Sequence, residues 1–149
     1  MPDQDPSQLF DLFTEIAIIA QLNRAALEAR LPHGLIAPHF SVLNHLARVG
    51  DGCTPIEMAR AFQVPKTSMT HTIKGLEVHG LIQTRANPQD GRSKRVWLTD
   101  AGRAMRADVI AALGEGFQAL TAELDMSRIS AITPVLSELR MHLDQARDS

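Results

Sequence analysis

The sequence predicts a mainly α-helical protein that carries one small β-hairpin. Most large apolar residues recur at spacings of three and four, which is the period of an amphipathic helix. Only two short segments, residues 81–85 and 94–98, have the pattern of strands, and turn-forming residues separate them. The chain has 149 residues, of which 44% are hydrophobic and 21% charged, so it can bury a core and is not disordered as a whole.

The first predicted helix covers residues 6–31 and is apolar around most of its circumference. Asp5 is its predicted N-cap, Pro6 takes the first helical position, and Gln8 completes a capping-box pattern. A helix on the surface of a single chain would show one apolar stripe instead. We therefore expect this helix to be buried against a second copy of the chain, with burial inside one chain as the alternative.

Three shorter helices follow the first one. The earliest covers residues 37–50 and ends at a glycine. The next covers residues 54–62 and begins with a capping box, in which Thr54 is the N-cap and Glu57 the third helical residue. After a short break comes the segment "VPKTSMTHTIKGLEVHG", whose last glycine, Gly80, is expected to end the helix.

The two strand candidates are joined by "ANPQDGRS", a polar and basic turn, so we expect a β-hairpin. A long helix then begins after Thr99 as its N-cap. The last helical segment contains Pro134, which predicts either a kinked helix or two abutting helices. A helix, a short turn and a second helix followed directly by a hairpin form a winged helix-turn-helix, whose second helix enters the DNA major groove.

The predicted elements fall into three parts. We expect residues 1–36 to form an N-terminal dimerisation helix, residues 37–100 a winged helix-turn-helix lobe that binds DNA, and residues 101–149 the C-terminal helices. The net charge of −2 is unevenly spread, because residues 60–106 hold nine Lys/Arg against three Asp/Glu. A basic middle between acidic ends suits contact with a polyanion, and a solvated charged surface is the alternative.

The segments "TPIEMARAF", "SMTHTIKGLEVHGLIQTR" and "NPQDGRSKRVWLTDAG" resemble the MarR (multiple antibiotic resistance regulator) family. The last of them is similar to the wing signature of that family: an Asp-x-Arg pair, a basic strand, and Leu-Thr-x-x-Gly entering the next helix. The motifs cover about residues 54–103, and the order of elements is similar over nearly the whole chain. Two departures are His71, where many relatives carry arginine, and Gly75, where many carry a long polar residue.

The resemblance implies an obligate homodimer in which the C-terminal helices of residues 101–149 complete the interface begun by the N-terminal helix. It implies that this dimer binds a roughly palindromic operator in double-stranded DNA, usually as a repressor. It also implies that a small anionic aromatic ligand, a metal or an oxidant releases the DNA. The leading hypothesis is therefore a homodimeric, ligand-responsive repressor. The alternative is a helical protein–protein interaction module with a non-functional winged helix.

Short polar residues dominate the helix that would read DNA. Met69, Ile73 and Leu76 recur at helical spacing and form an inner stripe, which leaves most polar residues facing outward. Hydroxyls, His and Lys can contact phosphates, base edges and thymine methyls, although an ordinary polar helix face has the same composition. The candidate recognition residues are Lys66, Thr67, Ser68, Thr70, His71 and Lys74.

The turn of the hairpin supplies a second candidate contact with DNA. Arg92, Lys94 and Arg95 can lie along phosphates or enter a narrow minor groove. Asp90 is expected to hold Arg92 in place rather than to touch DNA, and Trp97 to pack at the strand end. A merely solvated loop is the alternative for these residues.

A ligand pocket, if the chain has one, is expected between the dimer helices and the DNA-binding lobe. Each of its candidate residues can equally be an ordinary core residue, and nothing in the sequence identifies the ligand. The candidates are Ile16, Ile19, Asn23, His39, Phe40 and Leu43.

Other functions lack support in the sequence. The single cysteine, Cys53, cannot form a disulfide within the chain, and as a redox sensor it would lack a resolving partner. The six histidines do not form a metal motif, and no catalytic arrangement is present, so we expect no cofactor, no metal and no enzymatic activity. No apolar run reaches the ~18 residues of a membrane span, and no secretion signal is visible, which predicts a cytoplasmic protein without membrane contact.

Overall fold

The computed structural model describes residues 4–149, in which six helices and one two-stranded antiparallel sheet form. This content confirms the predicted fold class. The chain divides into one compact unit that ends at Leu113 and a second that spans Gly114–Ser149. The elements are α1 (Ser7–Glu28), α2 (Ala37–Val49), α3 (Pro55–Phe62), α4 (Lys66–Val78), β1 (Ile82–Asn87), β2 (Asp90–Leu98), α5 (Asp100–Glu123) and α6 (Met126–Asp148).

The start of α3 forms the capping box that its sequence predicts. The Thr54 hydroxyl oxygen accepts a hydrogen bond from the Glu57 amide at 3.2 Å. In return, the Glu57 carboxylate accepts one from the Thr54 amide at 3.2 Å. Two backbone donors that a helix start leaves without partners are satisfied in this way, so α3 begins at a fixed place.

The core of the first unit lies between α2, α3, α4 and the hairpin. The predicted inner stripe of α4 is buried, with Met69 at 2%, Ile73 at 5% and Leu76 at 0% exposure. Because these three residues face the core, the rest of α4 is left on the surface. The other buried apolar residues of this cluster are Leu35, Val42, Leu43, Leu46, Met58, Ala59, Leu81, Ile82, Val96 and Leu98.

The hairpin is longer than the sequence pattern indicates. The predicted strands covered residues 81–85 and 94–98, whereas the ladder extends from Ile82 opposite Leu98 as far as Asn87 opposite Asp90. The Asn87 side chain explains the extension, because its amide donates to the Ser93 hydroxyl at 2.9 Å and its carbonyl oxygen accepts from the Gln89 amide at 3.1 Å. Polar side chains, rather than alternating apolar residues, therefore hold the outer half of the wing together.

The beginning of α5 locks against the base of the hairpin. The Thr99 hydroxyl caps α5 by accepting from the Gly102 amide at 3.0 Å, and it donates to the Gly80 carbonyl at 2.6 Å. A side chain at position 102 would collide with the Leu81 carbonyl oxygen. Gly102 is thus required for the close approach of α5 to the chain that leads into β1.

The remaining helices present apolar surface to solvent when a single chain is considered. Helix α1 buries only Leu27, and α6, which has no buried residue, contains Pro134 inside one helix rather than between two abutting ones. The exposed apolar residues of α1 include Phe10 at 72% and Leu22 at 68%. Among the residues described, no helix combines the length and the apolar character needed to cross a membrane.

Candidate nucleic-acid interface

The six predicted recognition residues all lie on the exposed side of α4. Their exposure follows from the inner stripe, since a helix that buries one face must present the other. The Thr70 hydroxyl donates to the Lys66 carbonyl at 2.9 Å, and the Thr72 hydroxyl to the Ser68 carbonyl at 3.0 Å. With their hydrogens engaged in this way, both threonines retain oxygen lone pairs and methyl groups for outside partners.

The wing residues differ in how firmly they are held. Arg92 and Lys94 are exposed, whereas Arg95 is half-buried and its Nε donates to the Asn87 carbonyl oxygen at 3.3 Å. Asp90 accepts from the Arg92 backbone amide at 3.0 Å. The carboxylate therefore shapes the turn through the main chain and leaves the Arg92 guanidinium outside that contact.

A groove between α4 and the wing brings together part of each predicted set: Lys66, Thr70 and Lys74 of α4, and Arg92 and Lys94 of the wing. The other predicted contact residues, Thr67, Ser68, His71 and Arg95, do not line it. We call it the basic groove; its volume is about 300 Å³. Four of its lining residues carry a positive charge and one, Glu77, a negative charge, and the Glu77 carboxylate accepts a hydrogen bond from the Thr84 hydroxyl at 2.8 Å. The lining residues are Thr54, Pro55, Ile56, Lys66, Thr70, Ile73, Lys74, Glu77, Thr84, Arg92, Ser93 and Lys94.

The base of the wing contains two contacts that the sequence did not indicate. The Arg85 guanidinium lies 4.5 Å from the ring centre of Trp97, in cation–π geometry. Gly52 lies against the same indole, since a Cβ there would be 3.6 Å from the ring. Trp97 thus packs within the protein, as expected, and it also orients an additional cation of the wing.

A second groove, which we call the α1–α2 groove, has a volume of about 530 Å³. Arg24 and Arg48 supply positive charge, and the His45 ring packs edge-on against Phe62 with ring centres 5.1 Å apart. Burial, and then the charge of Arg48, lowers the pKa of His45, so this imidazole is neutral at pH 7. The lining residues are Arg24, Ala37, Pro38, Ser41, Asn44, His45, Arg48, Phe62, Val64, Ser68, Met69 and Thr72.

The six residues predicted to line a ligand pocket line neither of these two grooves. Leu43 is fully buried in the core, Ile16 and Phe40 are half-buried, and Ile19 and Asn23 are exposed. The last of the six, His39, packs between α2 and α4 against Gly75. Their assignment to a pocket stays a prediction.

The single cysteine lies in an environment that favours the thiol. Cys53 is half-buried, and this burial raises the pKa of its thiol. The negative charges of Glu57 and Asp51 raise the pKa further. The reactive form of cysteine is the thiolate, so this environment slows its oxidation. Among the described residues, no group of three or more His, Cys, Asp or Glu side chains is placed to hold a metal ion.

Comparison with known proteins links this geometry to a family. A model of the MarR family matches residues 33–93. A crystal structure of MarR aligns with a TM-score of 0.82 at 19% identity, over 99% of this chain and 97% of that one. A cysteine-to-serine variant of E. coli MarR complexed with operator DNA aligns with a TM-score of 0.69 at 24% identity, over 90% and 96% of the two chains.

A third structure comes from Bordetella bronchiseptica. Its BpsR, studied for the regulation of its DNA binding by 6-hydroxynicotinic acid, aligns with a TM-score of 0.69 at 22% identity, over 87% of this chain and 98% of that one. The family match contains all of α2, α3, α4 and β1, and the structural matches extend the same fold to nearly the whole chain. The wing signature, the element order and these matches agree. Residues 33–93 therefore match the MarR family, and the chain has the winged helix-turn-helix fold of the solved MarR structures.

Proposed function

We propose that this protein is a sequence-specific, DNA-binding transcriptional regulator that acts as a homodimeric repressor in the cytoplasm. The basic groove carries the proposal, because it gathers Lys66 and Lys74 of α4 with Arg92 and Lys94 of the wing. Such a cluster suits a polyanionic duplex, whose phosphates attract cations and release their counterions on binding. The E. coli MarR relative solved with operator DNA supports the same use of the fold here.

The two parts of the groove have different tasks in this proposal. The wing cations hold phosphates or enter the minor groove, which sets register without reading sequence. The short side chains of α4 lie in the major groove, where the Thr70 methyl can contact thymine and the His71 ring can donate to guanine acceptors. Sequence preference is therefore expected to depend on α4 more than on the wing.

The apolar surface of α1 supports a dimer. Phe10 and Leu22 are each more than two-thirds exposed in a single chain, and large contiguous apolar surfaces on soluble proteins mark interaction sites. A second copy would cover this surface and place two α4 helices in major grooves about one helical turn, roughly 34 Å, apart. Sedimentation tests this directly: the chain is expected to be dimeric, and Phe10→Asp to shift it toward monomer, whereas a monomeric wild type contradicts the proposal.

The α1–α2 groove is the proposed site of a small effector. Arg48 suits a carboxylate, whereas Arg24 is already paired with Glu28 at 2.8 Å. Phe62, Val64 and Met69 suit the apolar body of a small aromatic acid. BpsR, whose DNA binding is regulated by 6-hydroxynicotinic acid, supports an effector of this chemical class. The dimer would exist in conformations that differ in the separation of the two recognition helices. A ligand with higher affinity for a conformation that does not fit DNA would shift the dimers toward it, and the size of the shift is set by the difference in affinity.

The decisive experiment measures DNA affinity at several salt concentrations. Genomic fragments that the wild-type chain selects supply the duplex, and a scrambled duplex of equal length is the control. We expect the affinity for the selected duplex to fall steeply with salt, because Lys and Arg displace condensed counterions. Flat or undetectable binding to every duplex would refute the proposal and favour a protein–protein interaction module instead.

The effector proposal needs its own measurement. Benzoate and 6-hydroxynicotinic acid are titrated into the complex of protein and selected duplex, and DNA release is recorded. Release by either acid is expected to need a higher concentration in Arg48→Gln, which removes a charge from the α1–α2 groove. The matched control is Arg128→Gln in α6, which lies outside that groove; equal effects of both variants would remove the groove from the effector site.

A further inference from the structure

His39 occupies the place where α2 meets α4, and it packs directly on Gly75. A Cβ atom at position 75 would lie 2.8 Å from His39 Nε2 and 3.3 Å from its Cδ2. Atoms of this kind do not approach so closely, so a residue with a side chain at position 75 would displace the imidazole. Glycine weakens the interior of a helix, and the close contact with His39 explains why α4 contains one there.

The orientation of the His39 ring depends on its protonation state. Its Nδ1 accepts a hydrogen bond from the Ile36 amide at 3.0 Å, at the N-terminal end of α2. A backbone amide can only donate, so Nδ1 must keep its lone pair and the proton of the neutral ring lies on Nε2. Protonation of Nδ1 would replace this hydrogen bond by two donors that face each other.

The surroundings of His39 also oppose a positive charge. Burial lowers its pKa, and the nearby imidazoles of His71 on α4 and His79 at the end of α4 act in the same direction. His79 stacks on His33, with ring centres 4.5 Å apart. On the α1 side, the Glu28 carboxylate already accepts hydrogen bonds from the Ala37 amide at 3.0 Å and from Arg24 at 2.8 Å, so it is engaged elsewhere.

We propose that His39 is a positioning residue for the recognition helix, and that its protonation weakens DNA binding. The neutral ring fits between Ile36 and Gly75 and fixes α4 on α2, whereas the imidazolium disrupts this fit and frees α4 to move. This inference rests on the proposed DNA binding.

The direction of the pH dependence follows from the lowered pKa of His39. The folded state holds the proton less tightly than the unfolded chain, in which histidine has a pKa of ~6.5. The stabilising contact is therefore fully present above that value and is lost as the pH falls through it and on through the lower pKa of the folded state. DNA binding that depends on a fixed α4 is instead lost as the pH falls through the lowered pKa of His39 in the folded state, because the folded chain is the form that binds.

The test uses His39→Gln, which cannot titrate. Glutamine at the third helical position can accept from the N-cap amide, as in a capping box, so it preserves the hydrogen bond to Ile36. Affinity for a selected duplex is measured in steps from about pH 8 down to about pH 5, across the histidine range, at one ionic strength. We expect the wild type to lose roughly fivefold more affinity than His39→Gln on acidification, a coupling of ordinary size.

Two outcomes overturn the inference. If both proteins lose affinity equally, His39 does not control α4. If the wild type gains affinity relative to His39→Gln at the lower pH, the phosphates stabilise the imidazolium and its protonation favours the bound state. If the wild type binds no duplex at about pH 8, the proposed DNA-binding function is wrong. The contact between His39 and Gly75 can then still be tested by a measurement that needs no DNA.

The measurement without DNA is a thermal midpoint in a double-mutant cycle. Gly75→Ala is expected to lower the midpoint in the wild-type chain, because the new Cβ displaces His39. In a His39→Ala background the same substitution is expected to raise it, since alanine is the better helix former. If Gly75→Ala shifts the thermal midpoint by the same amount and in the same direction in both backgrounds, the two residues are not coupled. These variants also test the contact if His39→Gln does not fold.

Discussion

The Arg103 guanidinium donates to the Asp51 carboxylate at 2.6 Å and so joins α5 to the loop between α2 and α3. The other oxygen of Asp51 accepts from the Leu98 amide at 2.7 Å, at the end of β2. The Asp51 carboxylate thus connects the end of β2 to α5 and to the loop between α2 and α3. Only 18% of the Asp51 side chain is exposed, against 52% for Arg103, so the two ends of this contact are not equivalent.

The first prediction separates these two ends. Arg103→Ala removes a half-exposed ion pair and is expected to lower the free energy of unfolding by less than about 1 kcal/mol. Asp51→Ala also leaves the Leu98 amide without its acceptor, and it is expected to cost about 1–3 kcal/mol. Urea unfolding of both variants measures the difference; equal losses would mean that the ion pair, rather than the amide contact, provides the stability.

The second prediction concerns two glycines of the same helix. Gly102→Ala is expected to destabilise the fold, because its Cβ would collide with the Leu81 carbonyl oxygen. Gly114→Ala places its Cβ in open space within α5 and is expected to stabilise a single chain by up to about 1 kcal/mol, the helix preference of alanine over glycine. Thermal unfolding at low protein concentration compares them, and a neutral Gly102→Ala would disprove the close approach of α5.

The third prediction separates phosphate contacts from base contacts. Arg92→Ala is expected to weaken binding to all duplexes similarly and to reduce the salt slope by about one, the effect of one lost phosphate contact. His71→Ala is expected to change the order of affinities for duplexes that differ at single base pairs. At the base pair that His71 contacts, the discrimination against a wrong base should fall by about 1–3 kcal/mol. Arg128→Ala in α6 is the control for a surface charge lost elsewhere, and an unchanged ranking in His71→Ala would remove its base-reading role.

The fourth prediction concerns Cys53. Because burial raises its pKa, the thiol is expected to react with iodoacetamide at pH 7 more slowly in the folded chain than in the urea-unfolded chain. Cys53→Ser is expected to bind DNA as the wild type does, with or without peroxide. Peroxide-induced release of DNA in the wild type and not in Cys53→Ser would instead identify Cys53 as a sensor.

Local patterns in the sequence predicted helix α4 and the start of α3 well. Met69, Ile73 and Leu76 lie on one face of α4 because they are spaced by about one helical turn. Residues close together in the sequence are therefore enough to predict this buried stripe. The capping box of Thr54 and Glu57 likewise spans only four residues. Features of this kind need no knowledge of the rest of the chain.

Contacts between distant segments were not predictable in the same way. Asp51 and Arg103 are 52 positions apart, and nothing in the local sequence of either indicates the other. The α1–α2 groove takes its residues from several helices, and the sequence-based choice of pocket residues shares none of them. In the sequence Gly75 is only a departure from the family pattern, and the position of His39 identifies its packing partner.

The 13-residue helix α4 borders both grooves. Ser68, Met69 and Thr72 line the α1–α2 groove, whereas Lys66, Thr70 and Lys74 line the basic groove. An effector and an operator would therefore touch opposite flanks of one helix, separated by its diameter of about 10 Å. A signal between them needs no long path through the protein, and thermodynamic reciprocity requires that operator DNA weaken effector binding by the same factor by which the effector weakens DNA binding.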